Sequence, residues 1–165
     1  RWYPGDSRNF AIGQGYLTVT PIGILRALTA LFNGGEVLKL HILKKNPKEV
    51  IRKLFFHTES LEAIYEGMKA VAQRGGTAFG SGLEDFEVAV KTGSAQDGRG
   101  WNFAWIAGVS WGKKGSPAYP RIPSIAFVVM IEHTSGHGGH TAGPIAAKLL
   151  EAFYKGDEEK SQKKD

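Results

Sequence analysis

Apolar residues recur every three or four positions in three stretches of the chain, which is the spacing of one face of an α-helix. The stretches contain Ile22, Leu25, Leu28, Leu31 and Phe32, then Leu61, Ile64, Met68 and Val71, and finally Ile145, Leu149, Leu150 and Phe153. Residues that favour a helix start precede them: Thr20 with Pro21, Thr58, and Gly143 with Pro144. The sequence therefore predicts three amphipathic helices, after a glycine-rich, turn-prone opening.

Three further runs, at residues 86–95, 101–111 and 124–132, have the alternating or continuously apolar pattern of β-strands. The first alternates, with Val88 and Val90 on one face and Ala89 and Lys91 on the other. The third is apolar on both faces, which predicts a central strand covered on both sides. Short connectors favour antiparallel pairing, and a weaker extended run at 37–43 leads into a lysine-rich connection. The predicted fold is α+β, an antiparallel sheet flanked by helices.

The composition narrows the classes of protein that fit. The 165 residues are enough for one domain with its own core, and no apolar run approaches the roughly 18 residues of a membrane-spanning helix. The net charge is +5, but the basic residues are scattered and not interleaved with aromatic residues, so we expect no nucleic-acid partner. The charged segment 157–165 is predicted to be a disordered tail.

The stretch "AVKTGSAQ", residues 89–96, ends the first strand with an unusual polar cluster. Lys91 and Gly93 fall on one face of the strand, and Thr92 and Ser94 fall on the other. Because Gly93 has no side chain, a peptide can approach the strand closely and add to its edge through main-chain hydrogen bonds. The ammonium group and the two hydroxyls suit a carboxylate. The pattern indicates a site for the C-terminal end of a peptide.

"KTG" is also the third motif of serine acyl-transferases whose other motifs are S-x-x-K and S-x-N. Four segments, at 2–22, 66–78, 89–96 and 142–154, resemble in that order the C-terminal part of the transpeptidase domain of class B penicillin-binding proteins. Within that class, "IGQGYLTVTPI" is more similar to the elongation-type penicillin-binding protein 2 than to the septal enzyme. The resemblance implies that residues 1–156 form the C-terminal portion of a penicillin-binding, serine β-lactamase-like transpeptidase domain.

The activity that the resemblance implies is that of a D,D-transpeptidase, which cross-links peptidoglycan stem peptides through a serine acyl-enzyme and is acylated by β-lactams. Lys91 would set the field around the nucleophile and the substrate carboxylate, which Thr92 and Ser94 would hydrogen-bond. Gly93 would permit close approach, and the backbone N–H of Ser94 would be one of two oxyanion-hole donors.

A nucleophile for this reaction is expected outside the chain. Two pairs fit S-x-x-K, Ser110 with Lys113 and Ser161 with Lys164, but the first ends a strand and the second lies in the tail, whereas the mechanism needs a helix start. Ser7 and Asn9 fit S-x-N, yet "GDSRN" resembles a family loop downstream of the true motif. The resemblance thus implies that both motifs lie upstream of Arg1 and that the isolated chain is inactive.

One departure from the family lies in "WNFAWIAG", where Asn102 and Phe103 occupy positions at which relatives commonly have a histidine before the Ala-Trp pair. That difference leaves in doubt any role the histidine has in relatives.

The resemblance also implies the setting of the protein. We expect it on the periplasmic face of the bacterial inner membrane, anchored through the N-terminal remainder of the same protein, and acting in elongation and rod-shape maintenance. A glycosyltransferase and a scaffold protein of the elongation complex would be its partners, and no cofactor is expected.

Other interpretations remain open from the sequence. His133, His137 and His140 fall within eight residues and could approach a zinc ion, although their spacing fits no common template and no metal is expected. A penicillin-binding-like module that binds peptides or scaffolds a complex without catalysis is the alternative function. A soluble β-lactamase or D,D-carboxypeptidase would share the Lys-Thr-Gly motif but would not account for "GQGYLTVTP".

Overall fold

The computed structural model describes residues 1–96 and 100–162. In chain order, the elements are α1 (Pro4–Ala11), α2 (Pro21–Phe32), β1 (Glu36–Leu38), β2 (Val50–Lys53), α3 (Thr58–Ala70), a 3₁₀ turn (Leu83–Asp85), β3 (Phe86–Gln96), β4 (Asn102–Lys113), β5 (Ile125–Thr134), α4 (Gly138–Thr141) and α5 (Gly143–Gln162). Helices and an antiparallel sheet share one fold, so the predicted α+β class is confirmed.

The main sheet has three antiparallel strands in the order β3-β4-β5. The third run was predicted to be the central strand, but β4 holds that place and β5 lies at one edge of the described sheet. An apolar pattern on both faces shows that layers cover the strand, and it carries no information on which strands lie beside it. Strand β3 forms the opposite edge and pairs with β4 from Phe86 through Gln96.

Each face of this sheet packs against its own layer. On one face, α5 and the segment 71–83 close a core around Val90, Ile106 and Leu150. On the other face, α2 and α3 pack Phe32 and Tyr65 against the sheet. The alternation predicted for β3 is confirmed, because Val88 and Val90 belong to the first core and Ala89 belongs to the second.

Helix α5 meets the sheet through small residues. Ala146 and Ala147 are buried together with Leu150 and with Ala142 just before the helix, whereas Ile145 and Leu149 are 41% and 51% exposed. The prediction that Ile145 and Leu149 face a core is therefore wrong. Alanines allow the helix to lie close to the sheet, so the buried face is the one with small side chains rather than the one with the largest.

In helices α2 and α3, too, some apolar residues at helical spacing are exposed. Ile22 at the start of α2 and Ile64 in α3 are exposed, while the buried aromatic side chain of α3 is Tyr65. Tyr65 lies edge-on to Trp111 of β4, with 5.5 Å between the ring centres. Tyr65 is buried because it packs against this aromatic ring of the sheet, and Ile64 beside it therefore faces the surface.

Local structure differs from the prediction at three further places. The opening contains helix α1, which begins at Pro4 and in which the Tyr3 N–H donates to the Asp6 carboxylate at 2.8 Å. Strand β2, which was not predicted, pairs with β1, and its residues are exposed and give no alternating signal. Helix α3 begins at Thr58 itself, with His57 in the capping position.

The charged C-terminal segment was predicted to be disordered from residue 157, but α5 continues through Gln162. Glu, Lys and Gln are good helix formers, so extending a helix that is already anchored on the sheet costs little. Residues 163–165 lie outside the described residues.

Candidate active site

The four residues predicted to form the site lie together on the second half of β3. Alternation along the strand sends Thr92 and Ser94 to the face covered by α4 and α5, and Lys91 and Gly93 to the face covered by α2. Both hydroxyls and the ammonium group lie beside the edge of β3 that has no strand partner among the described residues. The structure therefore places a cation on one face of the strand and two hydroxyls on the other face, all beside the same open edge.

The two hydroxyls are fixed from the α5 side. Thr92 Oγ1 lies 2.8 Å from Thr77 Oγ1, and Ser94 Oγ accepts a hydrogen bond from the Gly138 N–H at 3.3 Å. His137 Nδ1 lies 3.4 Å from the same Ser94 oxygen. These contacts hold the hydroxyls in place while leaving lone pairs and protons for a ligand. The Lys91 ammonium donates to the backbone carbonyl of Thr92.

Gly138 allows the loop before α5 to lie directly on the strand. A Cβ atom built at this position would be 2.5 Å from the carbonyl oxygen of Gly93 and would also collide with the carbonyl oxygen of Trp105. Only glycine fits there, and its N–H thereby comes within reach of Ser94. The "GHGG" run therefore contacts the strands of the site in addition to turning the chain.

A cavity of about 870 Å³ opens on the other face of the sheet, next to Lys91 and Gly93. Its walls come from the sheet, from α2 and from the loop between α1 and α2, and they include Ile24, Leu28, Leu31, Phe103, Trp105 and Met130. The size lies within the usual range of small-molecule sites, and the lining is mainly apolar. The space is large enough for a packed helix segment or for part of a ligand that extends from the strand edge.

The serines considered as nucleophiles do not suit that role. Ser110 is completely buried, and its hydroxyl bonds to the carbonyl of Glu87 at 3.2 Å and accepts from the Tyr154 hydroxyl at 2.9 Å. Ser7 accepts from the Trp2 indole on the surface of α1. Ser161 lies at the end of α5, and Lys164 lies outside the described residues. Ser110 is a satisfied core serine, so its S-x-x-K spacing arises by chance.

The three histidines of the 133–140 segment have separate environments. His133 packs near Trp101 and Phe103, with ring centres 6.3 and 5.8 Å away, while His137 points to Ser94. Among residues 1–96 and 100–162, no group of three or more metal-ligating side chains could hold a metal ion. The zinc hypothesis therefore has no support in the described geometry, and His137 becomes a neighbour of the polar cluster.

Sequence reasoning missed three residues of this site. Thr77 and His137 reach it from segments that the pattern treated as a flexible link and a turn. Gln14 reaches it from the loop after α1, and its side chain bonds the backbone of Ser94 at 3.0 Å. The only signal in the sequence was Gln14 lying between two glycines in the quoted motif "IGQGYLTVTPI", which gives no indication of a contact 80 residues away.

Comparison with known proteins agrees with this fold. Residues 1–151 match the family described as the penicillin-binding protein transpeptidase domain. The chain belongs to that family, and the resemblance expected from the motifs is confirmed.

The relatives include proteins named MrdA and solved structures of PBP2. The peptidoglycan D,D-transpeptidase MrdA of Salmonella typhimurium is 28% identical over 173 residues, which cover 93% of this chain and 28% of that protein. The solved structure of PBP2 from Helicobacter pylori is 29% identical, with a TM-score of 0.75, over 93% of this chain and 27% of that one. Pseudomonas aeruginosa PBP2, solved in complex with WCK 5153, is 25% identical with a TM-score of 0.66, over 92% of this chain and 34% of that one.

The chain thus spans roughly a third or less of the length of the relatives it matches. None of the helices in the described part of the chain combines the length and the apolarity that crossing a membrane requires.

Proposed function

We propose that this chain is the C-terminal portion of a peptidoglycan D,D-transpeptidase and supplies the strand that holds its substrate. The supporting observation is the open edge of β3, where Lys91, Thr92, Gly93 and Ser94 present a cation, two hydroxyls and a close backbone approach. Family membership over residues 1–151 and relatives named as D,D-transpeptidases support the same activity.

In the proposed reaction, a serine from the upstream part of the protein attacks the carbonyl carbon of the D-Ala-D-Ala peptide bond. The C–N bond breaks, the terminal D-alanine leaves with a proton on its amine, and the acyl group stays on the serine as an ester. An amine of a neighbouring stem then attacks that ester and restores the serine. Penicillin would acylate the same serine by opening its strained ring.

The residues of this chain would bind and polarise the substrate. The hydroxyls of Thr92 and Ser94 would donate to the terminal carboxylate, which the Lys91 ammonium also attracts. The absent side chain of Gly93 would let the peptide lie against the strand. The Ser94 N–H would donate to the carbonyl oxygen as negative charge develops on it, and losing such a donor typically costs about 3 kcal/mol in the barrier.

The upstream remainder of the protein is the first partner that we propose. It would bring the nucleophile to the Lys91 side of the strand and cover part of the apolar cavity between the sheet and α2. An anchor in that remainder would place the domain on the periplasmic face of the inner membrane. Elongation, rod-shape maintenance and the glycosyltransferase and scaffold partners follow from the resemblance to penicillin-binding protein 2.

The test is intact-mass spectrometry after incubation with penicillin. Two samples are compared: the 165-residue chain alone, and the chain together with the upstream segment of its protein. We expect an adduct in the second sample only, on a serine outside residues 1–165. An adduct on the isolated chain would contradict the proposal that the nucleophile is supplied from elsewhere, and no adduct in either sample would favour the non-catalytic peptide-binding module.

A further inference from the structure

Gln14 bonds the open edge of β3 with both ends of its side-chain amide. Its Nε2 donates to the carbonyl oxygen of Ser94 at 3.0 Å, and its Oε1 accepts from the Gln96 N–H at 3.4 Å. An added β-strand would use this same pair of backbone groups. The side chain therefore takes the place of one peptide unit of a neighbouring strand.

These two bonds also fix which way the backbone of Ser94 points. In a strand, the N–H and C=O of one residue point to the same side, and successive residues point to opposite sides. Because Gln14 lies on the open edge, the Ser94 carbonyl and the Gln96 N–H must both face that edge. The Ser94 N–H consequently faces it as well, while Ala95 between them points its backbone groups to β4.

The loop after α1 is shaped to deliver Gln14 to this position. Gly13 and Gly15 on either side have φ angles of +75° and +72°, in the left-handed region that favours glycine. The Gln14 N–H bonds back to the Asn9 carbonyl at the end of α1 at 2.9 Å. The backbone thus turns sharply on both sides of a residue that is itself anchored, and the side chain projects onto the strand.

The backbone groups of the edge are then divided between the protein and a ligand. Gln14 occupies the Ser94 carbonyl and the Gln96 N–H, and the Lys91 ammonium occupies the Thr92 carbonyl. The Ser94 N–H lies between these occupied groups and faces outward. The Thr92 N–H faces the same side, so a peptide can pair with the edge only as far as Ser94, whose N–H can donate to a single oxygen atom.

We infer that Gln14 is a positioning residue. It holds the Ser94 peptide group so that the Ser94 N–H meets the reacting carbonyl oxygen, and it blocks the strand edge beyond Ser94 to a ligand. The inference rests on the proposed transpeptidase function for its chemical consequence. The contact itself can be tested apart from that function, since it protects a specific backbone amide.

The experiment uses the complete protein with Gln14→Met, which keeps length but removes both hydrogen bonds, and Gln14→Glu, which keeps the acceptor for Gln96 and removes the donor to Ser94. Gln73→Met is the matched control, because Gln73 is an exposed glutamine after α3. Hydrogen exchange of the Gln96 amide and acylation by a fluorescent penicillin are measured, with the saturating acylation rate separated from the dissociation constant.

We expect Gln14→Met to speed exchange at Gln96 and to slow the saturating acylation rate roughly tenfold, within the hundredfold or more that complete loss of an oxyanion donor costs. Gln14→Glu should slow acylation similarly while the Gln96 amide stays protected. In Gln14→Met, where Thr92, Ser94 and Lys91 keep their side chains and no charge is added, the dissociation constant should change by less than about twofold. Gln73→Met should match the wild type in every measurement.

Two outcomes would overturn the inference. Wild-type acylation rates in both Gln14 variants would show that the contact does not position the donor, and unchanged exchange at Gln96 in Gln14→Met would show that Gln14 does not hold the edge. A loss of penicillin affinity and of thermal stability with an unchanged saturating rate would indicate a merely structural role and would also refute it. If the wild-type protein is not acylated, the proposed function fails, and the exchange result alone decides whether Gln14 ends the edge.

Discussion

At the scale of single residues, Lys91 and Ser94 approach the same strand edge from opposite faces of β3. Ser94 is held by groups on the α4 side, where the Gly138 N–H and His137 contact its hydroxyl. The Lys91 side chain is exposed beside the cavity and bonds to the Thr92 carbonyl. A ligand carboxylate at the edge would therefore meet hydroxyls from one side and positive charge from the other.

Lys91→Ala in the complete protein should slow acylation by penicillin roughly 10- to 150-fold, because a charge-assisted interaction is worth about 1.5 to 3 kcal/mol. The rate of adduct formation measures this effect. Lys45→Ala, at an exposed lysine of the connection between β1 and β2, serves as the control and should leave the rate unchanged. An unaltered rate in Lys91→Ala would remove Lys91 from the proposed site.

A second residue-scale feature is the hydrogen bond between the half-buried Tyr154 and the buried Ser110. Burial raises the pKa of the Tyr154 phenol above its ordinary value of 10.0, and the Asp157 carboxylate acts in the same direction, while hydrogen bonds with Ser110 and Ser124 oppose them. The folded state therefore retains the phenol proton more tightly than the unfolded chain does. The stabilisation from the neutral phenol is complete below the ordinary value and is lost as pH rises through the raised pKa.

Thermal unfolding midpoints measured from about pH 8 to about pH 11 should accordingly fall more steeply for the wild type than for Tyr154→Phe. Comparing the two proteins cancels the titration of the lysines and the other tyrosines. Tyr16→Phe, at a tyrosine that is 75% exposed, should follow the wild type. Parallel curves for wild type and Tyr154→Phe would mean that ionisation of this phenol is not disfavoured by the fold.

At the scale of elements, the site depends on how closely the segment before α5 lies against the sheet. Gly138 contacts the backbone of both β3 and β4 in a space that no side chain could occupy. The same segment carries His137 and continues into α5, whose alanines pack on the sheet. Strand and helix are thus fixed relative to one another by small residues.

Gly138→Ala should lower the free energy of unfolding by about 1 to 3 kcal/mol, because backbone atoms must move to admit a methyl group. It should also slow penicillin acylation, since the shifted backbone includes Gly93. Gly67→Ala in α3 is the matched control. Its added methyl would meet nothing within 4 Å, so helix propensity should raise stability by up to about 1 kcal/mol. A neutral Gly138→Ala would show that the contact with β3 is loose.

At the scale of the whole molecule, the chain leaves apolar surface uncovered. The cavity beside Lys91 has mainly apolar walls, and Ile42, between β1 and β2, and Phe55, after β2, are 101% and 91% exposed. Apolar surface of this kind marks places where other protein packs or where chains associate. Coverage of the cavity by the upstream remainder is part of the proposed function.

The isolated chain should therefore associate as its concentration rises, and the complete protein should not. Size-exclusion chromatography with light scattering measures the mass in each case. Ile42→Ser with Phe55→Ser distinguishes the two surfaces. If this double variant of the isolated chain is monomeric, Ile42 and Phe55 cause association, and the expectation for the cavity is wrong.

The sequence by itself determined the class of fold, the family and the residues of the Lys-Thr-Gly strand. These features are local, since alternation defines strands, helical spacing defines helices, and a run of four consecutive residues places its own side chains on known faces. The motif order over most of the chain was enough to identify the transpeptidase family before any contact was known.

Tertiary structure alone decided which apolar residues were buried and which distant groups reached the strand. Ile145 and Ile64 have the helical spacing of core residues, yet alanines and Tyr65 occupy the contacts because the shape of the facing sheet selects them. Gln14 is 80 residues from Ser94 in the chain and meets it only because β3 has an open edge beside the loop after α1. The hydrophobic pattern records which positions along the chain are apolar. The approach of two distant segments depends instead on the packing of everything between them.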